Sequence, residues 1–536
     1  MNVLYLLTII FFSIWIIRNT LFWVSLWQIK EYRIDRMLVH LRETIQGKNL
    51  FFSLFSLIKW ITIFGYILVI LNQGLLLYYQ LFVALIIFIE GISVIKEVSR
   101  KLLKRPAFSF KALIISATTV LIISIFIFFP FLEKFLWLIL LDRFLPILIT
   151  ILVLLLSIPT QLYQDAVIER ATKKIRNKEK LLVIGITGSY GKSSTKEYLA
   201  QILKTKFRVL KTKGTNNTPI GVAQTIISGL KQDTEIFVVE MGAYKMGEIA
   251  ELCQIVKPNI GVLTGVNVQH VSLFGGIEKT IKTKYELIES LPKNGLAMFN
   301  GNNSITAKLY KQTKNLDKKM LYENIKSISE RNDSNKIYAT NVNVKKRYII
   351  FDVWLNNEKI QFKTSLIGAQ NIENILPGIY IGKFLGMTER EIKNAVSSLS
   401  PLSKTMNLFS LSHGANLIDD TFNANPVSVL SVLNYMKIYK GKRILVLQPM
   451  IELGKDANEQ HFLIGKEIGK ICDYLFLTNK NFSKSIIMGI DDSGGKCEVR
   501  FYNPKEISHF IIKNTEDSDI AAFEGKEAGI ALEKIL

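Results

Sequence analysis

Four apolar runs of about twenty residues lie within the first 160 residues, and they constrain the fold more than anything else in the chain. They fall near residues 52–71, 74–95, 112–132 and 135–158. A helix needs roughly 20 residues to cross a bilayer. A fifth run, near 2–27, is interrupted by Arg18 and Asn19. It lacks the basic start and small-residue cleavage site of a signal peptide, which marks it as a retained anchor. Core helices of a water-soluble domain keep a polar face, and these runs have none. Residues 1–165 are therefore expected to form an α-helical transmembrane domain of about five spans.

Charge supports this reading and orients it. Residues 1–180 hold 21 Lys/Arg against 10 Asp/Glu, and the remainder 46 against 35. Basic residues beside apolar runs point to a membrane surface, and no nucleic-acid partner is expected. The loops 30–48 and 96–111 hold five and six Lys/Arg, and Arg170, Lys173, Lys174, Arg176, Lys178 and Lys180 follow the last run. The alternate loops are nearly free of basic charge, with only Lys134 in one of them. The positive-inside rule then puts the N-terminus outside and everything beyond about residue 165 in the cytoplasm, with the chain multi-pass in the cytoplasmic (inner) membrane. Asp142 and Arg143 fall inside the last run; they fit an intramembrane functional pair and an interfacial pair equally well. Cys253, Cys472 and Cys497 are too scattered for a metal cluster and suggest a reducing compartment.

With 536 residues the chain exceeds a single core, and its second part opens on a motif. Residues 181–187, LLVIGIT, read as a strand; Gly188, Ser189, Tyr190, Gly191, Lys192, Ser193 and Ser194 follow, and then the helix-like TKEYLAQIL. Strand, glycine loop and helix make a phosphate cradle, because glycines let backbone N–H groups approach an anion at a helix N-terminus. Lys192 can reach the β- and γ-phosphates of ATP, and the Ser193 hydroxyl can bind Mg²⁺. Ile186 stands where the general P-loop pattern has glycine, so the match is to the variant TGxxGK[ST].

The stretch ITGSYGKSSTKEYLAQIL resembles the ATP loop of the Mur ligase family, which includes cell-wall amino-acid ligases and folylpolyglutamate and cyanophycin synthetases. Further stretches resemble the branch that adds D-Ala-D-Ala: KTKGTNNTPIGVAQTI (211–226), FVVEMGAYKMGEIAELCQIVKPNIGVLTGV (237–266), HVSLFGGIEKTIKTKYELIESLP (270–292), DDTFNANPVSVLSVL (419–433) and MIELGKDANEQHFLIG (450–465). The resemblance covers residues 181–536. It implies a basic linker at 166–180, an α/β P-loop central domain over 181–398 and an α/β, Rossmann-like C-terminal domain over 399–536. It also implies an ATP-dependent amide ligase that activates a carboxylate as an acyl-phosphate and joins it to an amine. The substrates would be a cell-wall peptide precursor and an amino acid or dipeptide, by resemblance D-Ala-D-Ala.

The resemblance assigns roles residue by residue. Glu240 ends the strand IFVVE, where a carboxylate suits Mg²⁺; with Ser193 it would hold one ion. His270 would hold a second, together with Lys284 in the place of a carbamylated lysine. Lys279 and Lys282 lie close by, and the following Glu286 helps select Lys284. Lys192, Lys284 and His270 form the expected catalytic set. Asn371 and Asn374 match an adenine-contacting motif whose usual histidine is Gln370 here. Asp420, Asn423, Asn425 and Ser428 match a segment that faces the nucleotide, although Asn and Asp in such loops are equally good turn formers.

Three departures stand out. A membrane domain occupies the place of a UDP-binding domain, and an expected Gly-Arg pair gives way to a sequence near Lys404-Thr405. The terminal FEGKEAGIALEKIL matches a Lys-Gly-Ser segment only loosely. A membrane-bound polyglutamate-type polymer ligase and a non-catalytic membrane scaffold are the competing expectations; intact Lys192, Ser193, Glu240, His270 and Lys284 weigh against the scaffold.

Overall fold

A computed structural model of the chain describes residues 2–43, 45–100, 102–214, 216–243, 245–267, 276–325, 335–356, 358–411, 414–450, 453, 456–501 and 503–536. It divides into two compact units, Met1–Asp165 and Ala166–Leu536.

The first unit is helical. Five helical stretches among the described residues are long and apolar enough to cross a bilayer: Val3–Ile29, Gly47–Leu71, Gln73–Ser99, Phe110–Phe128 and Lys134–Arg176. Their starts carry local signals. Ser53 and Ser109 accept from the backbone at Ser56 and Ala112, and Glu133 accepts from Phe135 and Leu136. Each cap satisfies N–H groups that a helix start leaves unpaired. The third apolar run, read as 112–132, ends as a helix at Phe128, just before Pro130. Leu71, Phe110 and Phe128 are among many large apolar side chains left on the outside of this unit.

Its interior is not wholly apolar. Lys59 is buried and bridges Glu90 at 2.6 Å and Asp142 at 2.7 Å. Asp142 also accepts from Trp15 Nε1 at 2.8 Å, Asn19 Nδ2 at 3.2 Å and Arg143 at 2.8 Å, and Arg143 donates to Ser56 Oγ at 2.7 Å. Asp142 is thus buried inside the unit and tied directly to two other helices. Arg18 and Glu97 form a second pair at 2.9 Å.

The second unit is α/β. One sheet has the order β2-β3-β1-β4-β5-β6-β7-β8-β9, with β1 Leu182–Thr187, β2 Val209–Lys211, β3 Ile236–Glu240, β4 Ile260–Leu263, β5 Leu296–Asn300, β6 Lys318–Asn324, β7 Lys336–Val344, β8 Ile349–Leu355 and β9 Glu358–Thr364. The strands from β2 to β7 are parallel, and β7, β8 and β9 form antiparallel pairs. The five residues of β3, IFVVE, are all buried, as expected of a parallel strand covered on both faces. The second sheet runs β10-β11-β15-β12-β13-β14, with β10 Asn407–Ser410, β11 Asn416–Asp420, β12 Arg443–Leu447, β13 Tyr474–Leu477, β14 Glu498–Arg500 and β15 Ile520–Glu524. Only β10 is antiparallel to its neighbour there.

The chain leaves β1 toward β2 and β3 on one side and later continues to β4 on the other. That reversal opens a crevice at the carboxyl ends of β1 and β4, where open α/β sheets bind ligands. The basic segment after residue 166 begins inside the helix Ser157–Arg176. Its Val167, Ala171 and Ile175 pack with Leu181, Val183 and Ile226 of the same unit.

Candidate active site at the glycine loop

β1 delivers the loop 188–191 to the crevice, and the helix Lys192–Leu203 carries it away. Gly191 caps that helix at φ +76°, in the left-handed region that favours glycine. A Cβ at Gly188 would come within 2.1 Å of Thr264 Oγ1, and one at Gly191 within 2.8 Å of Asn374 Oδ1. The loop is thus pressed against the end of β4 and the helix Gln370–Phe384. Ser189 N–H donates to Gly265 O at 2.7 Å, and Thr264 Oγ1 donates to Tyr190 O at 2.5 Å.

Lys192 folds back over the loop and donates to Gly188 O at 2.8 Å and Ser189 O at 3.3 Å. Burial lowers its pKa, and the charge of Glu240 opposes that shift. Ser193 Oγ donates to Glu240 Oε2 at 2.9 Å, so the two groups singled out in the sequence for one ion do meet. Two further residues reach Glu240: Lys196 Nζ lies 3.2 Å from Oε2, and Asn217 Nδ2 donates to Oε1 at 3.2 Å. Ser194 is buried behind the loop.

Lys284 lies on the helix Ile277–Glu289 and is buried. Burial, and then the charge of Lys192, lower its pKa from 10.5 to about 7. The nearby Glu286 caps the helix Glu248–Val256, accepting from Gly247 N at 2.8 Å and Ala250 N at 3.0 Å. His270 lies outside the described residues. Among the described residues, no three His, Cys, Asp or Glu side chains cluster as a metal site.

The asparagines behave differently from one another. Asn374 accepts from Thr195 Oγ1 at 3.2 Å beside the loop. Asn371 is buried between Tyr198 OH, at 3.2 Å, and Ile367 O, at 2.8 Å, and so links two helices. Asp420 ends β11, accepts from Met406 N at 3.1 Å and lies near enough to Tyr198 for its charge to act on the phenol. Asn423 is exposed and is not drawn into this group. Asn425 is a helix cap, forming a reciprocal capping box with Ser428, so the turn-forming explanation holds for it. Lys404 pairs with Glu533 at 3.5 Å.

The residues overlooked in the sequence are Lys196, Thr212 and Asn217, which surround Glu240, and Glu373, whose carboxylate accepts from Asn300 Nδ2 at 2.9 Å. Lys196 could have been found: it lies one helical turn beyond Lys192 and Ser193, on the face that returns to β3.

Residues 186–382 match the profile described as the Mur ligase middle domain. The α/β unit belongs to the Mur ligase family. This Mur ligase is 28% identical over 333 residues to the UDP-N-acetylmuramoyl-tripeptide–D-alanyl-D-alanine ligase of Buchnera aphidicola (strain Bp), covering 62% of this chain and 69% of that one. It is 27% identical over 372 residues to the Bacillus subtilis ligase of the same name, covering 66% and 75%. Among solved structures, the fold is similar to MurF ligase from Thermotoga maritima in complex with ADP, at TM-score 0.61 and 24% identity, covering 69% of this chain and 83% of that one. MurF from Acinetobacter baumannii gives TM-score 0.62 at 21% identity, covering 69% and 80%. The Mur ligase described here is an ATP-dependent ligase, and an apolar helical unit precedes its catalytic sheets.

Proposed function

We propose that the protein adds D-Ala-D-Ala, or another amino acid or dipeptide, to a cell-wall peptide precursor at the cytoplasmic face of a membrane in which its first unit is embedded as five spans. The N-terminus lies outside and residues beyond 165 lie in the cytoplasm. The loop charges support this orientation, and the relatives' names support the substrates.

The observation that carries the ligase reading is the meeting of Ser193 and Glu240 beside a half-buried Lys192. Exchanging the Gly188 and Ser189 carbonyls for phosphate oxygens would give Lys192 a charged partner in the same place. A hydroxyl and a carboxylate on adjacent elements are hard oxygen donors and suit Mg²⁺, so Ser193 and Glu240 would hold it. Bound there, Mg²⁺ would neutralise phosphate charge; the carboxylate of the precursor takes the γ-phosphoryl group as the bond to the β-phosphate breaks and ADP leaves. The neutral amine then attacks the acyl carbon, the C–N bond forms, phosphate leaves with the electron pair of the broken C–O bond, and the amine's proton passes to solvent.

Lys284 fits a carbamate, since only a neutral amine adds CO₂, and burial beside Lys192 supplies a neutral amine near pH 7. Carbamylated, with His270, it would offer oxygen and nitrogen donors to a second Mg²⁺. Asn371, Asn374 and Asp420 are proposed to line the nucleotide pocket.

The test is substrate-dependent phosphate release by the full chain with UDP-linked tripeptide precursor and D-Ala-D-Ala, against glutamate as the incoming amine. Lys192→Ala is expected to abolish release while circular dichroism stays unchanged. Normal turnover by that variant would overturn the reading, and release with glutamate alone would favour the polymer-type ligase.

A further inference from the structure

Lys196 is fully buried, and the chemistry above gives it no task. Its ammonium stands between two parts of the site. On one side lies Glu240 Oε2 at 3.2 Å, the oxygen that also accepts from Ser193. On the other lies Gly214 O at 2.6 Å, in the asparagine-rich loop that joins β2 to the helix Pro219–Gly229. The same loop grips β3 at three more points. Thr212 Oγ1 accepts from Glu240 N–H at 3.0 Å, Asn217 Nδ2 donates to Glu240 Oε1 at 3.2 Å, and Asn217 O accepts from Gly242 N–H at 2.9 Å. The grip is close, since a Cβ at Gly242 would fall 2.6 Å from Asn217 Cγ.

We propose that Lys196 is a positioning residue that couples cation occupancy at Glu240 to the placement of Thr212, Gly214 and Asn217. The proposal rests on the reading of Ser193 and Glu240 as the Mg²⁺ ligands. A buried carboxylate oxygen shared by a hydroxyl and an ammonium cannot also take a divalent cation unchanged, because the two cations repel at such range. The ammonium has one backbone acceptor ready, Gly214 O, and Glu197 lies 3.6 Å away. Loading the metal site therefore shifts Lys196 toward the loop, and the loop responds. By linkage, a ligand that fixes the loop changes the affinity for Mg²⁺ and nucleotide by the same factor. The loop thus becomes the element through which the acceptor substrate and the nucleotide sense each other.

The experiment is hydrogen exchange of the full chain in detergent, read on peptides covering residues 211–218, with ADP and Mg²⁺ and with ADP and EDTA. Binding is followed in parallel by calorimetry. Exchange in this loop is expected to change about fivefold or more with Mg²⁺ and ADP and to stay at the ligand-free rate with EDTA. Lys196→Met is expected to bind ADP without the loop response, and Lys196→Arg to restore it. Mg²⁺-dependent ADP binding by the wild type with no change in loop exchange would overturn the coupling alone. So would an unaltered response in Lys196→Met. If that variant does not fold, the wild-type comparison still decides. Loss of Mg²⁺-dependent ADP binding in the wild type would instead overturn the metal-site reading, and this inference with it.

Discussion

A lysine packed away from water beside a second lysine gives up its proton more readily than one in solution, and Lys284 is in that setting. Its pKa, lowered from 10.5 to about 7 by burial and by Lys192, makes the neutral form available at physiological pH. The sign of the pH effect follows. Below about pH 7 the amine is protonated and cannot take up CO₂; above it the neutral fraction, and with it the carbamate, grows. Ligase activity at fixed bicarbonate is expected to fall as pH drops through 7. Lys284→Ala is expected to be nearly inactive and partly restored by short free carboxylates. An active Lys284→Ala enzyme would dismiss the carbamate. Lys284 was singled out through the family resemblance, since residue spacing alone does not separate it from Lys279 and Lys282. Lys196 could be placed on the face of Lys192 and Ser193 by helical spacing, but its partner Glu240 is 44 residues away and only the sheet brings them together.

At the scale of elements, the carboxyl edge of the second sheet holds an unusual pair. β11 ends in Asp420 and β15 in Glu524, directly opposite each other in register, and both are buried. Burial pushes Asp420 up to about 6 and Glu524 well above the usual carboxylate range, with the Asp420 charge adding to the second shift. Each group holds a proton in the folded state that the unfolded chain has already released. The pair therefore costs little at pH 4, and the cost grows as pH rises through 6. Glu524→Gln is expected to stabilise the protein at pH 8 by on the order of 1–3 kcal/mol and to change little at pH 4. Urea unfolding at the two pH values measures this, and equal effects at both would refute it. The strands themselves were readable from runs such as IFVVE and the glycine loop after LLVIGIT. The carboxyl pair was not, because its members lie more than a hundred residues apart in the chain and only the order β11-β15 joins them.

At the scale of the whole molecule, an apolar helical unit stands where relatives of this family were expected to hold a nucleotide-sugar domain. If that unit captures the acceptor, confinement near the bilayer raises the effective concentration of a lipid-linked substrate without any new contact. The full chain is then expected to prefer a lipid-linked acceptor over a soluble UDP-linked one, by comparison of kcat/KM. Residues 166–536 alone are expected to lose that preference. Equal use of the soluble acceptor by both forms would reduce the helices to an anchor. Five long apolar helices were plain in the sequence because their runs are long and carry few charges. Of their polar interior only Asp142 and Arg143 stood out; that Lys59 joins Glu90 to Asp142 was hidden, since the three sit on separate helices.

That interior bears on how the chain is made. Synthesis runs from the N-terminus, so the helix Leu54–Leu71 leaves the ribosome with Lys59 before either carboxylate exists to meet it. Glu90 follows within the next helix, but Asp142 lies 83 residues downstream. An unpaired ammonium disfavours insertion by about 2.5–3.5 kcal/mol at a helix centre and by less toward its end, and Lys59 is the sixth residue of Leu54–Leu71. In a bilayer the helix would gain a first partner with Glu90 and its second only when Lys134–Leu155 arrives, so its insertion is expected to be completed late. Chains truncated near residue 130 are expected to leave residues 54–71 accessible to a water-soluble thiol reagent at an introduced cysteine, and Lys59→Leu to bury them. Protection of that cysteine in the truncated wild type would contradict this order of assembly. The ion network would then act as a timer as well as a brace, delaying commitment to the membrane until the last helix of the bundle has been translated.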